Sequence, residues 1–503
     1  MAVAGPYVPH PPGTLPALGA PPLVFAAVAA GLPGDWCVAL AVAGAVAARR
    51  ALSRFSAAYL AMVVLCLVLA GRLAPAHDVL LPNTKVIDGG RADTCAALWI
   101  AAVVLAAGLG LRHRSTTGPG PTPAASLRMA LGAMAVSAVG LAFEVLLIAA
   151  GSVGVASQVS GGGSGGGYVG LFGALGPVLA AAAVVVLHRT EAPPAATVAA
   201  TGLFGLHLLT LPFTGFRGAA PVMCLAVVIA AGHRAIPAGS GPPGPAAVDR
   251  PASPARSRRD RRPLARRPAR HPAPLVLLGA AGVALFLLGS SVRATISAEH
   301  GQHGPAQVSL GQTPETIIRR LDYRPYLLRA LDQRHDPDAR QAVALSDQAA
   351  SAAPRFLYPN KPPVDYGHAV SYAVFELPRD VPTFSTITAF GDAVLNLGLG
   401  GATLLICGWV LALDACYRRC AATTVPMVAI RILLIQVALD VGTPPVLATV
   451  TLVRSVAMLG VVLVAIRVAT DLLPRRSPRH PTVARLGRSA PRSRPTTGRQ
   501  RPT

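Results

Sequence analysis

The sequence predicts an all-α fold, a polytopic transmembrane helix bundle of about 12 spans with one large external loop between spans 9 and 10. Three observations carry that expectation. Hydrophobic residues make up 52% of the 503 and charged residues 13%, whereas a soluble domain averages about 25% charged. Apolar stretches near 20 residues recur along the chain. One of them, PAPLVLLGAAGVALFLLGS (272–290), follows the arginine-dense run RPASPARSRRDRRPLARRPARH (250–271) and precedes a polar loop of about ninety-five residues, Arg293 to near Thr388. Positive residues beside a span hold their end inside. The run is therefore expected in the cytoplasm and the loop outside.

The spans are expected near 15–32, 36–48, 55–73, 95–111, 128–151, 168–187, 196–213, 219–236, 274–292, 390–414, 424–441 and 446–468. Charge orders them. Arg49, Arg50 and Arg54 fall between spans two and three, and Arg112, Arg114 and Arg128 between four and five. Arg189 follows six, Arg234 follows eight, and Arg418 and Arg419 follow ten. All fall on the side of the 250–271 run, which puts both termini in the cytoplasm of a multi-pass cell-membrane protein. The first two spans are the weakest, because Pro21, Pro22 and Pro33 interrupt them.

The chain divides into an N-terminal transmembrane bundle (1–237), a disordered basic cytoplasmic loop (238–272), a transmembrane helix (273–292), the large external loop (293–388), a C-terminal transmembrane bundle (389–470) and a disordered basic tail (471–503). The two basic segments are rich in Pro, Arg and Ser and too poor in bulky apolar residues to bury a core. SGGGSGGG (160–167) reads as a flexible external connector. Within the loop, PETIIRRLDYRPYLLRALD (314–332) spaces its Ile and Leu residues as an amphipathic helix interrupted near Pro325. PNKPP (359–363) reads as an extended turn.

The formal charge of +23 points to anionic membrane lipids rather than nucleic acid, because most arginines sit at inner span ends and in the two tails. Seven scattered cysteines, with no CxxC pair, support neither a disulfide framework nor a zinc site. MAVAGPYVPHPPG lacks the basic start of a signal peptide. The chain has no P-loop, GxGxxG, HExxH or GxSxG motif, so no cofactor or metal is expected.

The basic residues on the external face run against the charge rule: Arg217 in TGFRG (214–218), then Arg319, Arg320, Arg324, Arg329, Arg355 and Lys361. Guanidinium is permanently charged and grips phosphate through two parallel hydrogen bonds. Several such groups at the outer surface suit a pyrophosphate-bearing lipid. The plainer reading is solvated charge paired with Glu315, Asp322 and Asp332. Asp392 and Asn396 share one helix face at i,i+4 near the outer end of span ten. They either bind sugar hydroxyls or cap and pack that helix. Glu144, Arg431, Asp440 and Arg454 are ionisable groups inside or at the ends of spans, and such groups are functional candidates by default. Pairing of Arg454 with Asp440 is the plain alternative, and His188 and His207 read as structural.

APRFLYPNKPPVDYG (353–367), followed by TITAFGDAVLNLGLGGATLLICGWVLAL (386–413), resembles the C-terminal signature of bacterial O-antigen and oligosaccharide-repeat-unit polymerases. The matching residues are Pro354, Arg355, Pro359, Lys361 and Pro362, then Gly391, Asp392, Asn396, Gly398 and Gly401. RRLDYRPYLLRALD resembles the family's Arg-x-Asp stretch through Arg320 and Asp322, and TGFRG its Gly-x-Arg-Gly connector through Gly215, Arg217 and Gly218. The resemblance covers about residues 210–415. One departure is that 336–353, where the family often carries a Tyr-Gly stretch, is Ala/Asp/Gln-rich.

The resemblance implies a glycosyltransferase that polymerises lipid-linked oligosaccharide repeat units at the outer face of the membrane. The donor would be a polyprenyl-pyrophosphate-linked oligosaccharide, with chain-length or export proteins as possible partners. Charge grows on the leaving pyrophosphate as its bond to the sugar breaks. Fixed cations aimed there stabilise the transition state. Arg217, Arg320 and Arg355 take that catalytic role. Arg319, Asp322, Lys361, Asp392 and Asn396 bind substrate. His368 is the candidate base for the acceptor hydroxyl, with Asp322 and Asp365 behind it. Three rivals stand beside this reading: a ligase that moves finished glycan, a lipid or glycan transporter, and a non-catalytic scaffold.

Overall fold

The computed structural model describes residues 14–73, 89–110, 123–150, 167–190, 192–214, 219–231, 284–285, 318, 321–351, 353, 366–377, 387–420 and 424–472. Among the described residues there are helices and turns and no strand. The all-α class is what the structure has.

Eight apolar helices come first. They are α1 (Thr14–Ala29), α2 (Gly34–Ala47), α3 (Arg54–Leu73), α4 (Gly89–Gly110), α5 (Pro123–Ala149), α6 (Gly167–Arg189), α7 (Pro194–Thr210) and α8 (Ala219–Ala231). Four short helices belong to the loop region: α9 (Arg324–Asp332), α10 (Pro337–Ala342), α11 (Leu345–Ala350) and α12 (Tyr366–Ala373). Three apolar helices close the chain: α13 (Ala389–Arg419), α14 (Val425–Leu439) and α15 (Pro445–Leu472). Five of these, in α3, α4, α5, α13 and α15, are long and apolar enough to cross a membrane. The expected span at 274–292 lies outside the described residues apart from 284–285.

Local chemistry sets several boundaries. Ser53 caps α3 by accepting from the Ser56 N–H at 3.1 Å, and Thr388 caps α13 by accepting from Gly391 N–H at 2.9 Å. Thr424 does the same for α14, and Asp336 for α10 through Asp338 N–H at 2.9 Å. Pro33 sits at the entry to α2, but Pro21 and Pro22 lie inside α1 without ending it. Prolines are tolerated this way when neighbours re-satisfy the freed backbone groups. In the loop region the expected interruption falls at Asp322–Tyr323, and Pro325 occupies the first turn of α9.

The most enclosed of the long helices is α4, which packs against α1, α2 and α13. Small side chains and aromatics fill its contacts. Trp99 stacks on Phe390 with ring centroids 5.5 Å apart and donates to the Tyr59 hydroxyl at 3.2 Å. Tyr59 in turn meets Trp409 edge-on at 5.7 Å. These rings join α3, α4 and α13 around one buried core. Many of the charged groups gather at two ends of the bundle. At the loop end, Arg72 pairs with Asp35 and Asp93, and Arg91 with Asp332. At the opposite end, here the arginine end, Asp414, Arg418, Arg54 and Arg189 meet the ends of α3 and α8.

Candidate functional site

The candidate site is the joint between the loop helices and the first turns of α13 and α15. It is built from α13, whose first half carries Gly391, Asp392 and Asn396 and then breaks. Gly398 has φ 69° and ψ 178°, a backbone open to glycine and strained for other residues. Gly391 serves a different need. A side chain there would press on Ala330 of α9, 3.2 Å from where its Cβ would stand.

Asp392 is fully buried. Its Oδ1 accepts from Gln348 Nε2 at 2.8 Å and from the Tyr366 hydroxyl at 3.0 Å. One carboxylate thus ties α11 and α12 to α13. Burial and the neighbouring Asp392 carboxylate push the Tyr366 hydroxyl well above the usual tyrosine range. Asn396, one turn on, donates to Val343 O at 3.0 Å and accepts from Leu345 N–H at 3.3 Å. It satisfies the chain between α10 and α11, where no helix does. Arg454 of α15 reaches the carbonyl of Ser351. Asn396 stands seven residues into α13 and Arg454 nine into α15, about 10 and 13 Å along their axes. The 343–351 segment therefore lies alongside the first turns of both helices, its backbone satisfied by polar side chains from them.

The Arg-x-Asp stretch is held at the same end. Both Asp322 oxygens face Arg324, whose Nε and Nη2 donate at 3.0 Å each. Arg324 also donates to the carbonyl of Gly71, where a side chain would collide with its guanidinium. The Tyr323 N–H donates to Cys66 O at 3.1 Å. That carbonyl lies in the π-helical segment Val64–Leu69 of α3, where widened winding releases backbone groups from the usual ladder. Arg329 pairs with Glu376 at 2.7 Å.

The sequence-predicted residues separate accordingly. Asp392 and Asn396 hold the loop helices, and Asp322 is paired with Arg324. His368 is half-buried in α12 and lies over Tyr372, centroids 6.1 Å apart. It is two residues from Tyr366, and positions two apart on a helix do not share a face. It therefore does not share the face that Tyr366 presents to Asp392. Arg217, Arg319, Arg320, Arg355, Lys361 and Asp365 lie outside the described residues. The pairing of Arg454 with Asp440 is corrected: Arg454 turns to Ser351, and Asp440 accepts from Thr443 Oγ1 at 2.6 Å. Asp440 itself is exposed in the turn between α14 and α15 rather than inside a helix.

A second polar group was not visible in the sequence. Ser137 of α5 donates to Gly176 O of α6 at 2.8 Å and meets His207 Nε2 of α7 at 2.8 Å. His207 Nδ1 faces Glu144 Oε2 at 3.8 Å, and neither atom has a hydrogen-bond partner. Because Ser137 spends its own proton on Gly176, the His207 proton belongs on Nε2. All three side chains are buried. Among the described residues no cluster of three or more His, Cys, Asp or Glu could hold a metal ion.

Comparison with protein-family models, with characterised proteins and with solved structures yields no match to this chain.

Proposed function

We propose that the chain is a multi-pass membrane glycosyltransferase of the polysaccharide-polymerase type. It joins oligosaccharide units carried on a polyprenyl pyrophosphate, with the loop end outside and both termini in the cytoplasm. About 12 spans and the external loop 293–388 belong to this reading. The carrying observation is the joint at Asp392 and Asn396. Asp392 and Asn396, two of the residues that resemble the polymerase signature, hold the loop helices against the bundle. A polar loop fixed beside membrane helices suits a reaction between a lipid-borne donor and a hydrophilic acceptor. The loop's arginines would meet the leaving pyrophosphate, and Arg217 would do so from the neighbouring connector.

The experiment is the length distribution of cell-surface polysaccharide in cells lacking the protein, complemented with wild type, Arg217→Lys or Arg217→Ala. Wild type should restore long chains. Arg217→Ala should fall by roughly a hundredfold in rate, the effect of removing one fixed transition-state contact. Arg217→Lys should also fail, because ammonium cannot reproduce the two-pronged grip. Unchanged chain lengths on deletion would end the polymerase reading.

One observation favours a second reading. The buried Ser137–His207–Glu144 group links three helices inside the bundle, as proton-carrying groups of transporters do. Proton-dependent uptake or export of lipid-linked glycan, abolished in Glu144→Gln with chain length unaffected, would favour it.

A further inference from the structure

Arg431 is the most poorly matched charge in the described structure. It interrupts the apolar stretch VPMVAIRILLIQVAL of α14 and is only 4% exposed. Its Nε and Nη1 have no hydrogen-bond partner. Its one described contact is the ring of Tyr417, whose centroid lies 4.9 Å from Cζ. The Tyr417 hydroxyl also lacks a partner. An arginine stays charged wherever it is put, so burial without an acceptor is costly.

Among the described residues the surroundings supply no acceptor. Besides the Tyr417 hydroxyl and the Cys420 thiol, the neighbours whose influence reaches Arg431 and Arg189 are other arginines, Arg54 among them. Arg54 Nη1 donates to Ile229 O at 2.8 Å and Arg189 Nη2 to Ala230 O at 3.1 Å, so both are drawn to the end of α8. Among the described residues, the buried carboxylate of this end is Asp414. It already accepts from Ser53, from Ser56 at 2.9 Å and from Arg418 at 2.6 Å. Three positive groups are thus gathered between α3, α6, α8 and α14, with open donors on the most deeply buried one.

We propose that this end of the bundle carries a binding site for a phosphate group, centred on Arg431 and the Tyr417 hydroxyl and bordered by Arg54 and Arg189. Phosphate offers several acceptor oxygens to a guanidinium fork and spreads its charge over neighbouring cations. Arg431 lies six residues into α14, about 9 Å along its axis. That depth suits the phosphate of an anionic lipid seated between helices at the cytoplasmic surface. Free phosphate shares the chemistry. The inference rests on the membrane reading and its orientation, and is independent of glycosyl transfer.

The test uses the full chain in detergent. Thermal unfolding is followed with added phosphatidylglycerol, phosphatidylcholine or inorganic phosphate, and lipid retained through purification is counted by mass spectrometry. Wild type should be stabilised by phosphatidylglycerol and not by phosphatidylcholine. Arg431→Gln should lose that response, with retention weaker by about tenfold or more. Stabilisation by inorganic phosphate alone, lost in the same variant, would assign the site to a free anion. Should Arg431→Gln not fold, Tyr417→Phe, which keeps the ring under Arg431, is expected to retain several-fold less phosphatidylglycerol. Equal responses in wild type and the folded variants, or none in wild type, would overturn the proposal.

Discussion

The two ends of the bundle handle charge in opposite ways. At the loop end most carboxylates find a donor within the chain: Asp322 finds Arg324, Asp332 finds Arg91, Glu376 finds Arg329, and Asp392 finds Gln348 and Tyr366. At the arginine end, among the described residues, one buried carboxylate, Asp414, takes three donors while Arg431 has no acceptor. The difference lies in what each end holds. The loop end must fix short helices with a small apolar core of their own, and does so with internal pairs. The arginine end joins apolar helices that pack through their own side chains, and the proposed phosphate would answer the positive charge gathered there.

The sharpest way to break the comparison is to remove the one acceptor of the arginine end. Asp414→Ala should cost about 3 kcal/mol or more, because Arg418 and two serines lose their shared partner in a buried place. Asp414→Asn keeps one acceptor oxygen and should cost less. The measurement is the thermal midpoint of the purified protein. A midpoint unchanged in Asp414→Ala would mean that this end is wet and its charges solvated.

At the loop end the corresponding change is Asp392→Ala. It strands the Tyr366 hydroxyl and the Gln348 amide, at about 1–3 kcal/mol for a buried group left unsatisfied. The effect should be local as well. Proteolysis should cut first within 343–351, the segment that Asp392 and Asn396 hold. Loss of midpoint with cleavage spread evenly along the chain would contradict the joint described above.

How much of this was legible in the sequence depends on the length of the feature. The apolar stretches read at 36–48, 55–73 and 424–441 coincide closely with helices α2, α3 and α14, of which α3 is long enough to cross a membrane. Asp392 and Asn396 were identifiable as a pair from their i,i+4 spacing. Their partners were not. Gln348, Val343 and Leu345 lie in a stretch that reads only as Ala/Asp/Gln-rich, and helices of 6 residues such as α10 and α11 show no usable periodicity. The Ser137–His207–Glu144 group was hidden for another reason. Its members come from two helices separated by a third, and no spacing along the chain records their meeting. The Arg454–Asp440 pairing failed because charge alone does not say which way a long side chain turns.

Two glycines of the same helix sharpen the comparison at smaller scale. A Cβ at Gly398 or at Gly400 would meet nothing within 4 Å, but only Gly398 has positive φ. Gly398→Ala should therefore cost about 2 kcal/mol through backbone strain alone. Gly400→Ala should be neutral or stabilising by up to about 1 kcal/mol, since alanine is the better helix former. Equal midpoints for the two variants would mean that α13 runs straight through Gly398, which would also pull Asn396 away from Val343.

The smallest effect concerns alkaline pH. Burial and the Asp392 carboxylate hold the Tyr366 hydroxyl protonated above the ordinary tyrosine value, about 10 in an unfolded chain. The folded state therefore binds the proton more tightly than the unfolded state. Its contribution is fully present below pH about 10 and is lost as pH rises from there through the folded value, at up to about 1.4 kcal/mol per pH unit. Tyr366→Phe removes both the titration and the hydrogen bond to Asp392. At neutral pH it should be less stable by about 1 kcal/mol. Above pH 10 its stability should fall less steeply, so the two curves should converge. Tyr323, also raised by burial, is present in both proteins and cancels from the difference. Denaturant midpoints between pH 7 and 11 decide the matter. Parallel curves across that range would place the Tyr366 hydroxyl in water, and the carboxylate of Asp392 would then be holding the loop through Gln348 alone.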